Sequence, residues 1–374
     1  MTRNGALRRG VAAVTVASAV VLGTALPAAA GGASGGHGAT REAMAAAVRT
    51  DKLPGMTVTA REGQRSWSAA VGVADLRTGQ PRSARERFRI GSVTKTFVAT
   101  VLLQLQGEGR LDLDDPVEKW LPGVVHGNGN DGAAITVRQL LSHTSGVYSY
   151  DEDPELARLL FTAEFLTHRY DTYPARELVR VAMSHPPVFV PGAKRAYSNT
   201  NFILAGLVIG KVTGHSYAEE IERRIIRPLG LTGTSLPGTA SDLPRPHARG
   251  YSTLYGGSTD LVDTTELNPS WGGAAGEMIS TTDDLTRFLA ALLRGRLLPE
   301  AQLTEMLGTP TGYGLGIGHA TLSCGITVWG HEGSIHGFST VALATRDGHH
   351  AVAFSSNADW FEGELQLAEA EFCH

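Results

Sequence analysis

The sequence lacks three features that would place it in other classes of protein. It has no excess of basic residues, since 33 lysines and arginines stand against 37 aspartates and glutamates and the net charge is −4. Nucleic-acid binding depends on cations that neutralise phosphates, so this balance excludes a nucleic-acid partner. Beyond the first 30 residues, no apolar run is long enough to span a bilayer. No internal repeat is visible either.

Cysteine is scarce, because the chain has only Cys324 and Cys373. In an exported protein an even number of cysteines favours a disulfide, whereas two free thiols are the alternative. A bridge would close a loop of about 50 residues and contribute ~4 kcal/mol through loop-closure entropy. We expect the disulfide, which would fix the C-terminus to the body of the fold.

Export is predicted from residues 1–30. Three arginines open this segment, the apolar run 11–26 follows, and small residues continue to Ala30. This pattern is typical of a secretory signal peptide cleaved near Ala30. A membrane anchor is the alternative, but the apolar run is short for a span. We therefore predict a secreted protein without a stable membrane anchor, in which a flexible glycine-rich linker over residues 31–40 leads to the folded domain.

Hydrophobic patterning predicts one domain, 41–374, with two lobes. β-Rich runs lie at both ends of this domain, whereas helical segments dominate the middle. We predict a mixed α/β fold of the α+β type, with an antiparallel sheet flanked by helices. The α/β lobe would combine about 41–110 with 266–374, and an all-helical lobe over about 111–265 would be inserted between them.

The individual elements follow from the same patterning. The strands are expected at 56–60 and 67–73, with a turn at Glu62-Gly63, and within 324–333, 337–348 and 349–357. The helices are expected at 41–49, 96–106, 137–141, 154–166, 175–183, 202–212, 217–226 and 359–372.

The first candidate for chemistry is the pair Ser92 and Lys95, at the start of a helix that is apolar on most sides. Residues at i and i+3 share a helix face, so the amine can lie beside the hydroxyl. A serine nucleophile needs a base, and burial lowers the pKa of a lysine enough for that role. An ordinary helix start with a solvated lysine is the alternative, and the spacing alone does not decide between them.

A second candidate lies in the segment 197–199, Tyr-Ser-Asn, which precedes an apolar helix. The phenol of Tyr197 and the amide of Asn199 can relay a proton and bind a substrate carbonyl. Helix capping is the alternative for the polar residues, and packing is the alternative for Tyr197.

The third candidate is the β-like run that contains His331, Glu332 and Gly333. A glycine here allows a substrate or another backbone to approach closely. His331, Glu332 and His336 have metal-ligand chemistry, but the His-Glu-x-x-His zinc motif needs an i, i+4 spacing on a helix. The two histidines are five residues apart around a glycine, so we predict no metal and no cofactor.

Taken together, the three motifs resemble those of the active-site serine penicillin-interacting enzymes, whose set is S-x-x-K, S-D-N and K-T-G. Here tyrosine opens the second motif and histidine opens the third, a variant that resembles the class C β-lactamases and, above all, the secreted actinomycete D-alanyl-D-alanine carboxypeptidases. The resemblance runs from about Arg41 to Cys373. It is carried by RFRIGSVTKTF, ITVRQLLSHTSGVY, YSNTNF, GYGLGIG and LSCGITVWGHEGSIHGF.

The resemblance implies a β-lactamase/DD-peptidase-like fold and a role for each motif residue. Ser92 would form the acyl-enzyme, Lys95 would take its proton, and Tyr197 would exchange protons with the leaving amine and the incoming water. The remaining positions would bind substrate: Asn199 the amide, His331 and Gly333 the extended chain, and the backbone N–H groups of Ser92 and Ser334 the oxyanion. Trp271 resembles a tryptophan of the cleft wall, with core packing as the alternative.

Several positions depart from the carboxypeptidase pattern. Gly318 stands where those enzymes carry an arginine that binds the substrate carboxylate, and no arginine occurs between Tyr313 and Cys324. Glu332 replaces a small polar residue, although strand alternation can direct it away from His331. The loop 151–173 has no clear counterpart.

These observations predict a secreted monomeric D-alanyl-D-alanine carboxypeptidase that cleaves peptidoglycan stem peptides and is acylated by β-lactams. The alternative is a class C-like β-lactamase, esterase or D-amino-acid amidase of the same fold, because fold and motifs alone do not separate these activities. A non-catalytic penicillin-binding or sensor module is a third hypothesis. It predicts a lost nucleophile or base, whereas Ser92, Lys95 and Tyr197 are all present.

Overall fold

The computed structural model describes residues 36–254, 261–308 and 312–374. The predicted signal peptide and the first part of the predicted linker lie outside these ranges. Within them, no helix is long and apolar enough to cross a membrane.

A seven-stranded antiparallel sheet forms the centre of the α/β part. Its strands are β1 Gly55–Glu62, β2 Arg65–Asp75, β3 Gln80–Pro81, β4 Gly318–Thr321, β5 Thr327–Ile335, β6 Phe338–Thr345 and β7 His350–Ser356. Their spatial order is β4-β5-β6-β7-β1-β2-β3. The antiparallel pairing of β1 with β7 joins the beginning of the domain to its end. The predicted antiparallel sheet with strands from both ends is therefore confirmed.

Helices flank the sheet and fill the middle of the chain. They are α1 Gly38–Thr50, α2 Thr94–Gly107, α3 Val117–Trp120, α4 Val137–Leu141, α5 Pro154–Phe161, α6 Phe165–His168, α7 Ala175–Met183, α8 Asn199–Thr213, α9 Tyr217–Ile221, α10 Arg227–Leu229, α11 Gly273–Gly276, α12 Thr282–Leu293, α13 Glu300–Leu307 and α14 Glu364–Phe372. A π-helical turn, Glu222–Ile226, joins α9 to α10. The segment from α3 to α10 is mostly helical, and it contains one small ribbon, His126–Gly127 with Asn130–Asp131.

Side-chain alternation divides the sheet between two cores. On β6, Val341 packs with α1 and α14, whereas Ala342 contacts the larger core beneath α2 and α12. Strand neighbours point to opposite faces, which explains why two adjacent apolar residues serve different cores. Phe97 of α2 stacks on Phe288 of α12 at 3.7 Å. Because α2 is buried on nearly every side, its first turn is held rigidly inside the protein.

Several elements differ from the sequence-based prediction. Helix α1 begins at Gly38, so residues 38–40 are helical and not part of a flexible linker. The predicted helix 154–166 is broken where Thr162 adopts an extended backbone. The last helix begins at Glu364, five residues later than predicted, after Gly363. Strands β3 and β4 were not predicted, because two to four residues at a sheet edge carry too short a pattern.

Cys324 and Cys373 form a disulfide with their Cα atoms 5.7 Å apart. It joins the loop between β4 and β5 to the residue that follows α14. The bridge therefore ties the last helix to the edge of the sheet that also carries the third motif.

Candidate active site

Ser92 lies in a single 3-10 turn, Gly91–Val93, directly before α2. Two glycines allow this turn to lie against β5. Gly91 has φ +49°, and a Cβ added there would lie 2.8 Å from the backbone nitrogen of Ser334. A Cβ added at Gly333 would lie 2.1 Å from the Ile90 carbonyl oxygen and 2.8 Å from the Ser92 nitrogen. No side chain fits at either position, so the backbones of Ser92 and Ser334 stay adjacent.

Lys95 lies one residue inside α2 and is completely buried. Its Nζ donates hydrogen bonds to Ser92 Oγ at 2.8 Å, Asn199 Oδ1 at 2.8 Å and the Ala275 carbonyl oxygen at 2.7 Å. Burial lowers the pKa of Lys95 to about 7, and the charge of Asp151 partly opposes this shift. A substantial fraction of Lys95 is therefore neutral near pH 7, as a base for the Ser92 hydroxyl requires.

Tyr197 lies beside both Ser92 and Lys95, just before α8. Its hydroxyl is hydrogen-bonded to Ser92, and Lys95 Nζ lies 4.9 Å from the centre of its ring. Burial of the phenol raises the pKa of Tyr197 above its usual value, and the bond to Ser92 works against this rise. The residue as a whole is 44% exposed, so the ring borders open space while its hydroxyl faces the serine. Tyr197 is thus a neutral phenol that can pass a proton to or from Ser92.

Asn199 connects the lysine to a carboxylate. Its Oδ1 accepts from Lys95, and its Nδ2 donates to Asp151 Oδ2 at 2.8 Å. The backbone N–H of Asn199 donates to Ser149 Oγ at 2.9 Å, and that hydroxyl also donates to Asp151. Both ends of the Asn199 amide are therefore fixed. Ser198 stands at the N-cap of α8 without a side-chain capping bond, so capping does not account for this segment.

The third motif forms the end of β5. His331 Nε2 accepts from the Tyr313 hydroxyl at 2.9 Å, and Nδ1 bonds the Glu332 carbonyl oxygen. Burial, reinforced by the charge of Lys95, lowers the pKa of His331 to about 3, so its ring is neutral. Glu332 is exposed, on the opposite face from buried His331. Among the described residues, the ligand atoms of His331, Glu332 and His336 do not converge on a common point.

Trp271 is only 8% exposed and packs edge-on against Phe161 and His336. Its carbonyl oxygen accepts from Tyr150. The side chain is thus part of an aromatic cluster between the loop 151–173 and the tip of the β5–β6 hairpin. These contacts fit a side chain that is packed in the core better than one that lines an open cleft.

His143 belongs to the site, although no motif in the sequence pointed to it. It is fully buried, with φ +57°, and its ring stacks on Tyr197 with 4.2 Å between centroids. Its Nδ1 accepts from the Ser198 backbone N–H and from Asn201 Nδ2, both at 3.2 Å. Burial and the nearby charge of Lys95 hold the pKa of His143 well below its usual value, so the ring is neutral. It lies in ITVRQLLSHTSGVY, one of the stretches that carry the family resemblance, but that resemblance gave the histidine no role.

Replacing His143 by asparagine should separate its hydrogen bond with the Ser198 N–H from its stacking on Tyr197. Asparagine tolerates the positive φ and keeps an acceptor for the Ser198 N–H, but it removes the ring beneath Tyr197. We expect a folded protein whose kcat falls by roughly tenfold or more, since small misplacements of a catalytic group are costly. Steady-state kinetics with a thermal melt will measure this. Unchanged kcat in folded His143→Asn protein would show that the ring does not position Tyr197.

Comparison with known proteins places this geometry in a family. The family model described as Beta-lactamase matches residues 40–370. "Protein flp" of Staphylococcus aureus (strain N315) is 26% identical over 313 residues, which cover 82% of this chain and 60% of the relative. "Putative penicillin-binding protein PbpX" of Bacillus subtilis (strain 168) is 26% identical over 310 residues, covering 81% and 70% respectively. The chain thus spans 60% of the length of the first of these curated relatives.

Two solved structures are more similar. A D-stereospecific amidohydrolase from Streptomyces sp. is 53% identical, with a TM-score of 0.86, covering 90% of this chain and 98% of the other. D-amino acid amidase from Ochrobactrum anthropi SV3 is 29% identical, with a TM-score of 0.75 and coverage of 89% and 95%. The predicted β-lactamase/DD-peptidase-like fold is confirmed. The chain belongs to the β-lactamase and penicillin-binding-protein-like family of serine hydrolases.

Proposed function

We propose that the protein is a D-stereospecific amidase that hydrolyses amides of D-amino acids through an acyl-enzyme on Ser92. The observation that carries this proposal is the 53% identity to a D-stereospecific amidohydrolase over 98% of that chain. The similarity to a D-amino acid amidase supports it. The D-amino-acid amidase that the sequence left as an alternative is therefore better supported than the carboxypeptidase that was its main prediction.

Acylation follows from the contacts around Ser92. Ser92 Oγ attacks the amide carbonyl carbon while its proton passes to neutral Lys95, 2.8 Å away. The negative charge that develops on the carbonyl oxygen is bound by the backbone N–H groups of Ser92 and Ser334, each worth about 3 kcal/mol in such a hole. Tyr197 gives its hydroxyl proton to the leaving nitrogen and is reprotonated from Lys95. The C–N bond breaks, and ammonia leaves an ester on Ser92.

Deacylation reverses the proton path. Water attacks the ester carbonyl and loses a proton towards Tyr197 and Lys95, and the Ser92–acyl bond breaks as Oγ regains its proton. The products are a free D-amino acid and the original enzyme. Asn199 binds the acyl part of the substrate, and the backbone beside Gly333 lies along it.

The edge of the sheet supports an amidase over a carboxypeptidase. Gly318 pairs with Gly330 between β4 and β5, at the position where the carboxypeptidases hold an arginine for the substrate carboxylate. A bidentate arginine–carboxylate contact is hard to replace. A simple amide has no such carboxylate and needs no such arginine.

A D-alanyl-D-alanine carboxypeptidase is the second candidate, and Arg195 favours it. This exposed guanidinium lies 5.6 Å from the centre of the Tyr313 ring, next to the third motif. A cation there can bind the carboxylate of a peptide substrate without an arginine at position 318.

The test compares three substrates with wild-type protein and Ser92→Ala. We expect D-phenylalanine amide to be hydrolysed at least ~100-fold faster than L-phenylalanine amide, because only one enantiomer presents its carbonyl to Ser92 correctly. A diacyl-Lys-D-Ala-D-Ala peptide should release little D-alanine. Release of D-alanine without hydrolysis of the D-amide would overturn the amidase and support the carboxypeptidase.

Export and β-lactam binding belong to the same proposal. The disulfide supports an oxidising compartment, as expected for a secreted protein with a leader of residues 1–30. Acylation of Ser92 by a penicillin is expected from the shared fold and the serine, lysine and tyrosine of the site.

We propose that the protein is a monomer. A penicillin-binding protein homologue from Pyrococcus abyssi is described as octameric. Light scattering will measure the oligomeric state of this protein.

A further inference from the structure

Asn201 is a residue of α8 that the acyl-transfer steps do not use. It is fully buried, and its amide bonds two polar side chains of the segment 143–145. Its Oδ1 accepts from the Ser145 hydroxyl at 2.6 Å, and its Nδ2 lies 3.2 Å from His143 Nδ1. The His143 ring in turn stacks on Tyr197. Asn201 therefore contacts the residue that supports the phenol bonded to Ser92.

Hydrogen bonds fix the orientation of the Asn201 amide. The Ser145 Oγ accepts from the Val147 backbone N–H at 3.1 Å and gives its own hydrogen to Asn201 Oδ1. Ser145 is only 1% exposed, so bulk water does not reach this hydroxyl. A turned amide would take away the acceptor of a buried O–H group, which is unfavourable in a protein interior. The Nδ2 group, which can only donate, therefore faces His143.

The orientation of Asn201 decides which nitrogen of His143 carries the proton. His143 Nδ1 faces two groups that can only donate, the Asn201 Nδ2 and the Ser198 backbone N–H, each at 3.2 Å. Nδ1 must therefore accept, and a neutral imidazole then carries its proton on Nε2. Nε2 is buried and makes no hydrogen bond to any residue that the structure describes. The contacts of Nδ1 alone thus determine the tautomer.

We propose that Asn201 is a positioning residue, which locks His143 in the Nε2–H tautomer and thereby holds Tyr197 against Ser92. This inference rests on the proposed function and adds a residue to the machinery of that site. A proton on Nδ1 would point at two donors and push the ring out of its place. Because the ring and Tyr197 stack with 4.2 Å between centroids, such a shift would move the phenol away from Ser92. Small displacements of a catalytic group are costly.

The charged and titratable groups around the ring complement the role of Asn201. They face it from three parts of the chain: Lys95 of α2, Arg195 and Tyr197 before α8, and Tyr313 and His331 at the third motif. Burial, together with the charges of Lys95 and Arg195, keeps the pKa of His143 well below its usual value. The two cations thus exclude the charged ring, whereas Asn201 selects between its two neutral tautomers.

The isosteric variant Asn201→Asp tests this role through the pH dependence of D-phenylalanine amide hydrolysis. One carboxyl oxygen can accept from Ser145, but the other must carry a proton in order to donate to His143 Nδ1. That proton is held at low pH and lost as the pH rises. The ratio of variant to wild-type kcat/KM should therefore fall at least about tenfold from about pH 6 to about pH 9. The loss should lie in kcat, because Tyr197 acts in the chemical step.

Two further variants complete the comparison. Asn130→Asp is the matched control, because Asn130 is a buried asparagine whose Nδ2 donates to the Gly127 and His185 carbonyl oxygens, and its ratio should stay constant with pH. Asn201→Leu removes both hydrogen bonds and should lower kcat about tenfold at every pH. Thermal melts at each pH identify the folded variants. A constant ratio in folded Asn201→Asp, or wild-type kcat in folded Asn201→Leu, would show that Asn201 does not position Tyr197.

Nuclear magnetic resonance tests the tautomer in the wild-type protein itself. With ¹⁵N-labelled histidine, the ring signals that are absent from His143→Asn protein should show an unprotonated Nδ1 and a protonated Nε2. A proton on Nδ1 would overturn the inference, whatever the variants do. If wild type hydrolyses no D-amide, the proposed function alone is rejected, because these signals need no substrate. The pH ratio is then measured on the rate at which a penicillin acylates Ser92.

Discussion

Ser92→Ala protein is expected to lose hydrolysis of D-phenylalanine amide by roughly 10⁴- to 10⁶-fold, the range seen when a serine nucleophile is removed. The hydroxyl has two positioned partners, Lys95 Nζ at 2.8 Å and the Tyr197 phenol. No other hydroxyl of the described site is held by both, so no neighbouring group can replace it. Chromatography of the released D-phenylalanine measures this loss of activity.

The control is Ser184→Ala, which removes a hydroxyl that is exposed at the end of α7. It should keep full activity and the same melting temperature. Mass spectrometry after incubation with a penicillin gives a second, independent readout, because a covalent adduct should form on wild type and Ser184→Ala alone. An adduct of equal amount on folded Ser92→Ala protein would place the nucleophile elsewhere.

The sequence predicted the parts of the site that depend on local order. Ser92 and Lys95 meet because the 3-10 turn that carries Ser92 leads directly into the first turn of buried α2, which carries Lys95, and the apolar pattern of α2 is plain in the sequence. Strands β5 to β7 were predicted for a similar reason, since each is long enough to show β-rich composition. Chemistry that lies within about ten consecutive residues is therefore predictable from the order of the residues alone.

Contacts across long separations were not accessible in the same way. Lys95 donates to Asn199 and to the Ala275 carbonyl oxygen, 104 and 180 residues away. The resemblance to a family brought Asn199 into the site, but a backbone carbonyl has no signature in a sequence. His143 and Asp151 were missed for another reason. Each contacts a motif residue without belonging to the motif, since His143 stacks on Tyr197 and Asp151 accepts from Asn199.

The pH dependence of acylation should report directly on Lys95. Its pKa is lowered to about 7 by burial, so kcat/KM should rise tenfold per pH unit below about pH 7 and level off above it. The value of kcat/KM rises with pH because only the neutral amine of Lys95 can accept the Ser92 proton. Two other groups around the serine do not titrate there, because burial lowers the pKa of His331 to about 3 and raises the pKa of Tyr197 above its usual value. In Lys95→Met protein we expect kcat/KM to fall by about 10³-fold or more, as for loss of a general base together with its hydrogen bonds.

Two carboxyl groups titrate in the same pH range and must be separated from Lys95. Burial raises the pKa values of Glu277 and Glu364 to about 7. Glu277 bonds the Tyr217 hydroxyl behind α11, and Glu364 lies at the start of α14, so neither contacts Ser92. Glu277→Gln and Glu364→Gln should therefore keep the rise in kcat/KM near pH 7. If either substitution removes that rise while Lys95 is intact, the rise reports the titration of that glutamate and not the titration of Lys95. If the residual kcat/KM of Lys95→Met protein still rises near pH 7, a group other than Lys95 produces the rise.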